Sequence, residues 1–472
     1  MTVAYPASVA APEKYDTRMS DAEGLMWRLE KDPYLSSTFS TLTILDQPPD
    51  LDVLRTRMER ATWVVPRLRQ RVQPSPVNLQ APLWVADPDF DIEYHVRRIA
   101  LAEPGTPRQL YELATLVNID PFDRTRPLWQ FVVVNGLKGG RAALITKMHH
   151  TITDGENGIR MSLEFTDFER HAPPRPPVDH DVIDEAPEAD HASIAAGMVT
   201  MRALVAGGLR LPIGVVRQVR HLLADPAQIP DASQAALDTV KGIVTQLSET
   251  DQSRSPLWTH RSLRRRFETV RAPLGATKQA ATRLGGTLNT ALLTATADAA
   301  GAYHRDLGAP VEHLRASMVI STRGKDSGAN AFTLARLLVP TGEMPIAERF
   351  EIIAETTTKA REGSASASVE TLAVVASGLP TSLLTRVVRQ QAQTVDFATS
   401  NVRGAPIPMF IGGAKVLQNY PLGPLSGVAF NLTLLSYMDS MDMGVNIDAA
   451  AVEQPTKLRT HLKEAFKRLR SA

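Results

Sequence analysis

His149, His150, Asp154 and Gly155 form the pattern HHxxxDG, directly after an apolar run at residues 142–148 with the composition of a buried strand. Those residue types at that spacing suit proton transfer. Imidazole titrates near neutrality, so a histidine can take a proton from a hydroxyl and return it within one turnover. A side chain at the end of a strand is held by the sheet yet can face a cleft. Asp154 and Gly155 suit a tight turn in which the carboxylate is free to brace the loop through an ion pair. The plainer readings are a satisfied core histidine and an ordinary turn. A zinc site fits poorly. Adjacent histidines on a strand point to opposite faces, HExxH spacing is absent and there is no cysteine, so no metal is expected.

The elements that must position this motif can be read along the chain. Ser20 and Asp21 open a predicted helix through Trp27 and Leu29, a strand follows at 39–45, and 51–63 has helical spacing up to Pro66. A strand and turn are expected over 83–91, and a helix at 110–117. Residues 129–134 are apolar and β-branched, and Asn135-Gly136 and Gly139-Gly140 punctuate the turn into the histidine strand. A second series starts near Arg264, with helices at 287–303, 346–361 and 372–388 and strands at 317–321, 336–339, 416–417, 429–436 and 442–447. A basic helix closes the chain at 456–470. This mixture predicts an α/β (α+β mixed) architecture in two halves, residues 1–170 carrying HHxxxDG and residues 264–472.

Between the halves, 171–191 is rich in proline and acid and reads as a linker. Residues 192–223 carry Arg202, Arg210, Arg217 and Arg220 among apolar residues and no acid; connecting helices and a membrane-surface element both fit, with scaffold the plainer reading. The chain is 43% apolar and 22% charged, as expected of a soluble globular protein of several cores. A net charge of +1 argues against a nucleic-acid partner. Zero cysteines exclude disulfides and thiol nucleophiles and fit a cytoplasmic setting. No secretory signal is expected from the polar first 15 residues, and the uncharged run 416–438 is too rich in turn formers for a membrane helix.

Several segments resemble one family, the bacterial wax ester synthase/diacylglycerol acyltransferases, within the CoA-dependent acyltransferase and condensation superfamily. Phe122-Asp123-Arg124-Thr125-Arg126-Pro127-Leu128-Trp129 is similar to its "LDRxRPLW" block, and residues 84–96 to "WVxDPDFDxxxHV". Ile320-Ser321-Thr322-Arg323 resembles "PVSTR", residues 400–404 resemble "SNVPG", and 435–437 a late "LSY"; the set is in order across nearly the whole chain. Two positions depart from the pattern: Thr290 stands where the family has an acid, and Arg403 where it has proline. Both bear on substrate preference.

The resemblance implies two chloramphenicol-acetyltransferase-like halves with a central tunnel, joined by a helical linker. It also implies acyl-CoA as donor substrate, no separate cofactor, and a lipid alcohol as acceptor, with peripheral contact to a membrane or lipid-droplet surface. No GxSxG elbow is present, so the acceptor hydroxyl is expected to attack directly. By the family pattern His150 is the base, His149 packs or supports the loop, and Asp154 orients it through an arginine, Arg323 being one candidate. Gly155 lets the backbone turn close to the tunnel. Asn289 is placed either to donate toward a developing oxyanion or to brace a helix, and Asn401 to steady the strand crossing between halves. Pro127, Leu128 and Trp129 read as core and tunnel wall. An acyltransferase with another kind of acceptor and a non-catalytic lipid- or partner-binding member remain alternatives.

Overall fold

The computed structural model describes residues 17–74, 81–152, 155–176, 254–321, 332–363 and 381–472. In the first half, α1 (Asp21–Leu29) is opened by a capping box between Ser20 and Glu23, and a short 3₁₀ turn (Pro33–Leu35) leads into β1 (Thr38–Leu45). Then follow α2 (Leu51–Val64), β2 (Gln70–Gln73), β3 (Leu83–Ala86), α3 (Ile92–His95), β4 (Val96–Ala100), α4 (Pro107–Ile119), β5 (Trp129–Leu137), β6 (Arg141–His149) and α5 (Gly155–Phe165). The second series is β7 (Arg265–Pro273), α6 (Leu274–Arg283), α7 (Leu288–Asp306), β8 (His313–Ser321), β9 (Phe332–Pro340), α8 (Ile346–Gly363) and α9 (Thr381–Ala392). It ends with β10 (Phe397–Val402), β11 (Phe410–Ile411), β12 (Ala414–Leu422), β13 (Phe430–Tyr437), β14 (Ser440–Asp448) and α10 (Pro455–Ser471).

Two six-stranded mixed sheets carry the molecule. Their orders are β11-β12-β1-β6-β5-β4 and β7-β14-β13-β10-β8-β9, and β2 and β3 form a separate pair. In the first sheet β5 and β6 are covered on both faces. Trp129, Phe131, Val133, Ala142, Leu144 and Met148 point into one apolar cluster, and Val132, Val134, Ala143 and Ile145 into another. That double covering is why both strands read as continuous apolar runs instead of alternating ones. The second sheet packs under α7 and α10, whose inner faces are mostly alanine and leucine.

The halves are not confined to their own stretches of chain. β11 and β12 come from the second series but complete the first sheet, β12 pairing antiparallel with β1 from Ser40↔Leu422 to Ile44↔Gln418. Thr43 and Asn419 bond across this pair at 2.7 Å. β12 presses on β14 so closely that a Cβ on Gly444 would lie 1.8 Å from the Pro421 carbonyl oxygen. A second seam sets α4 on β7, with Arg108 to Glu268 at 2.8 Å and Tyr111 to Thr269 at 3.0 Å. A third sets α9 across α1 and the 3₁₀ turn, with Arg28 donating to Thr381 and the Arg389 guanidinium 3.7 Å over the Tyr34 ring. Residues 254–263 pack with the second half, Trp258 lying in its core. Most of the segment read as linker, including Arg202, Arg210, Arg217 and Arg220, lies outside the described residues, as does the first part of the helix expected at 372–388.

Candidate active site

His149 closes β6 opposite Thr38 of β1, and its backbone N–H donates to the Leu128 carbonyl at 3.0 Å. Its side chain is 1% exposed and both ring nitrogens are engaged. The Thr151 backbone N–H donates to Nδ1 at 3.2 Å, so the ring proton sits on Nε2, which donates to Glu30 Oε2 at 3.1 Å. Thr151 Oγ1 is also 2.8 Å from Nδ1. Glu30 caps the end of α1, where its carboxylate accepts from Ser36 Oγ and the Ser37 N–H, each at 2.6 Å, and from Thr38 Oγ1 at 3.2 Å. Burial works against this charge, but the hydrogen bond from His149 and then those from Ser36 and Ser37 outweigh it, holding the carboxyl down at about 2. Glu30 is ionised under ordinary conditions.

His150 follows in the turn, its backbone N–H on the Ser37 carbonyl at 3.2 Å and its ring 4.5 Å from that of Phe39. No described residue hydrogen-bonds its side chain. Burial, aided by His149 and opposed by Glu30, pushes its imidazolium down to about 4. The residue nevertheless keeps part of its surface accessible. Its imidazole is held neutral, with no hydrogen-bond partner among the described residues.

The 122–129 block holds this corner in place. Lys147, fully buried on the same strand, donates its ammonium to the Asp120 carbonyl and lies 4.3 Å from the Phe122 ring centroid. Burial pulls Lys147 down to about 8 against the opposing charges of Asp120 and Glu30. Arg124 sits 3.4 Å over Trp27 and donates to its carbonyl at 3.0 Å, pinning the block to α1. Pro127 and Leu128 are buried, and Trp129 is wholly enclosed, donating Nε1 to the Leu68 carbonyl at 2.8 Å and stacking 4.4 Å from His95. Trp129 is core, with no surface left for substrate.

The two asparagines singled out from the sequence are brought together: Asn401 Nδ2 on β10 donates to Asn289 Oδ1 at 2.7 Å. Asn289 lies in the first turn of α7, beside a cavity of about 100 Å³ that Thr287, Thr290, Met318 and Arg361 also line. No hydrogen bond or ring contact links this pair to the histidines among the described residues. Asn401 sits just ahead of the chain's crossing, inside the second sheet. Thr290 answers its own departure from the family pattern, since Thr287 Oγ1 accepts from its N–H at 3.3 Å and its hydroxyl faces back to Thr287. Asp154 and Arg323 lie outside the described residues, and of Gly155 only its place at the start of α5 is described.

Glu30 is the residue that sequence reasoning missed. Nothing near it marks it, and its only signal is a lone acid at the end of a predicted helix. A second contact, Ser255 Oγ to His304 Nε2 at 2.7 Å, looks like a nucleophile and base but is not one. Ser255 is 1% and His304 0% exposed, His304 Nδ1 is held by the Ala300 carbonyl, and Ser255 Oγ caps the N–H groups of Leu257 and Trp258. Among the described residues no group of His, Cys, Asp or Glu is arranged to hold a metal ion, and no described helix is long and apolar enough to cross a membrane.

Comparison with known proteins decides what this corner belongs to. Residues 19–292 match the wax ester synthase/diacylglycerol acyltransferase catalytic domain, and 328–470 the C-terminal domain of the same family. The chain belongs to that family. It is an acyltransferase of the wax ester synthase/diacylglycerol acyltransferase type. A Mycobacterium tuberculosis H37Rv protein that bears the name diacylglycerol O-acyltransferase is 33% identical over 95% of this chain and 91% of its own length. Another from the same strain, tgs1, is 26% identical over 94% of each. Among solved structures, the Marinobacter aquaeolei VT8 wax ester synthase/diacylglycerol acyltransferase superposes with a TM-score of 0.64 at 22% identity, covering 96% of this chain and 98% of that one. The first condensation domain of the CDA synthetase shares the fold at a TM-score of 0.54 and 15% identity, covering 96% and 97%.

Proposed function

We propose that this acyltransferase moves a fatty acyl group from acyl-CoA to the hydroxyl of a lipid alcohol, diacylglycerol or a long-chain alcohol, with His150 as general base. The observation that carries the reading is the contrast within the histidine pair. His149 is fastened at both nitrogens, whereas the His150 ring beside it is held neutral and is hydrogen-bonded to no described residue. The names of the relatives supply the class of acceptor.

His150 takes the proton as the acceptor oxygen bonds to the thioester carbonyl carbon. The tetrahedral intermediate collapses, the carbon–sulfur bond breaks, and the imidazolium protonates the departing CoA sulfur. A weak base cannot strip an alcohol beforehand, so the proton must move as the carbon–oxygen bond forms. Return is downhill, because an imidazolium near 4 is far more acidic than a thiol near ~8.5. His149 and Glu30 position this turn instead of exchanging protons. Asn289, with its Oδ1 taken by Asn401, has Nδ2 donors left and is assigned to the oxyanion. Asp154 braces the turn that Gly155 closes, with Arg323 its candidate partner. We take the chain as three parts, 1–170, 171–263 and 264–472, with the reaction between the outer two. Acceptors of this class partition into membranes, so we also assign the chain a peripheral contact with lipid surfaces through the arginines of 192–223.

CoA release from palmitoyl-CoA with dioleoylglycerol or hexadecanol tests the reading. His150→Ala should stay folded and lose at least about a hundredfold in rate, while His149→Ala loses stability as well. Turnover by His150→Ala near the wild-type rate would end it.

A further inference from the structure

At the seam between α9 and the 3₁₀ turn a cleft of about 360 Å³ opens, lined by Asp32, Thr385, Arg386, Arg389, Gln390 and Gln393. All six lining side chains carry a polar or charged group. Two guanidinium groups stand against one carboxylate. Asp32 is already tied to the Tyr34 N–H at 3.0 Å, and its contact with Arg389 is 3.6 Å, longer than a hydrogen bond. Arg389 is held over the Tyr34 ring, which sets the direction of its donors. Arg386 is exposed and has no ion-pair partner among the described residues. The cleft thus presents two guanidinium forks that form no hydrogen bond among the described residues.

Its place in the fold ties it to the histidines. Asp32 lies two residues beyond Glu30, at most about 7 Å of chain, and Glu30 holds His149. The same segment runs on into β1, whose first residue pairs with His149. The far wall, α9, comes from the second half, so the cleft opens only where the two halves meet.

We propose that this cleft receives the phosphorylated nucleotide end of the acyl-CoA donor, with Arg386 and Arg389 on its phosphates. The assignment rests on the reading that acyl-CoA is the donor. Guanidinium forks match phosphate oxygens in pairs, whereas the polar amides of Gln390 and Gln393 suit a ribose or base edge. A free phosphate or another nucleotide offers part of the same chemistry, and the binding measurements separate these sources.

Arg386→Gln and the double variant R386Q/R389Q, each checked for fold by circular dichroism, are assayed with palmitoyl-CoA and with the palmitoyl thioester of N-acetylcysteamine, which lacks the nucleotide. Binding of adenosine 3′,5′-bisphosphate and of inorganic phosphate to the full chain is followed by titration calorimetry. In the wild type KM for the CoA thioester should lie well below that for the short thioester. In the double variant that gap should close by about tenfold or more, with kcat on palmitoyl-CoA little changed. The bisphosphate should bind the wild type and lose about tenfold in the double variant, with a smaller loss in Arg386→Gln. An unchanged KM for palmitoyl-CoA, unchanged bisphosphate binding, or inorganic phosphate binding as tightly as the bisphosphate would each overturn the assignment. If the wild type turns over neither thioester, the proposed function fails, and the calorimetric titration alone decides the cleft.

Discussion

Three contacts on the His149 ring leave it no nitrogen for chemistry, and the carboxylate beneath it is what divides the labour between two identical side chains. Glu30→Gln keeps the shape but removes the charge that fixes the His149 proton on Nε2 and favours a positive His150. We expect kcat to fall roughly ten- to hundredfold, the scale of a charge-assisted bond of about 1.5–3 kcal/mol, with KM little changed. The pH profile gives the sign. If His150 is the base, activity needs it neutral, so in the wild type it should stay level on lowering the pH until the imidazole titrates near 4, and the Gln variant should hold it lower still. A Gln variant with wild-type kcat and profile would reduce Glu30 to a packing residue. HHxxxDG was legible because its residues are contiguous and chemically distinctive. Glu30 was not, because it reaches the pair through tertiary structure from 119 positions away.

β5 and β6, covered by apolar clusters on both faces, announce themselves as apolar runs, β13 by its alternating Phe430, Leu432 and Leu434, and helices with caps such as Ser20 and Thr287 by their ends. β7 escaped because Arg266, Glu268 and Arg271 interrupt its apolar residues. Arg266 and Glu268 pair with each other, and Glu268 and Arg271 also need Arg108 and Asp442, partners far away in the chain. β10 escaped because it is six residues of mostly small and polar side chains whose neighbours, β8 and β13, are both parallel to it. At Gly444 the requirement is spatial. A methyl there meets the Pro421 carbonyl, so Gly444→Ala must push β12 off β14 or bend one of them. We expect a loss of about 3 kcal/mol or more, read as a clear fall in the denaturation midpoint. An alanine variant as stable as the wild type would mean that the two sheets are set farther apart than described.

For the molecule as a whole, two sheets meet through β12, and an acyltransferase of this type has a lipid acceptor to reach. If the arginines at 202, 210, 217 and 220 make that contact, the protein should sediment with anionic vesicles but not neutral ones. Binding should weaken as salt rises, at about 1 kcal/mol for each basic residue near the surface. Equal binding after all four are replaced by Gln would remove the segment from that role. The exchange of β11 and β12 has a consequence in time. β1 has β6 as a neighbour early, but its other edge stays open until residue 422 has been made. At ~5–20 residues per second that is a delay of roughly 20–75 s on the ribosome, with a row of bare N–H and C=O groups on offer throughout. The nascent chain therefore has a built-in vulnerable interval. A ribosome that stalls or terminates before β12 releases a protein whose first sheet already has its histidine strand but still carries an adhesive edge.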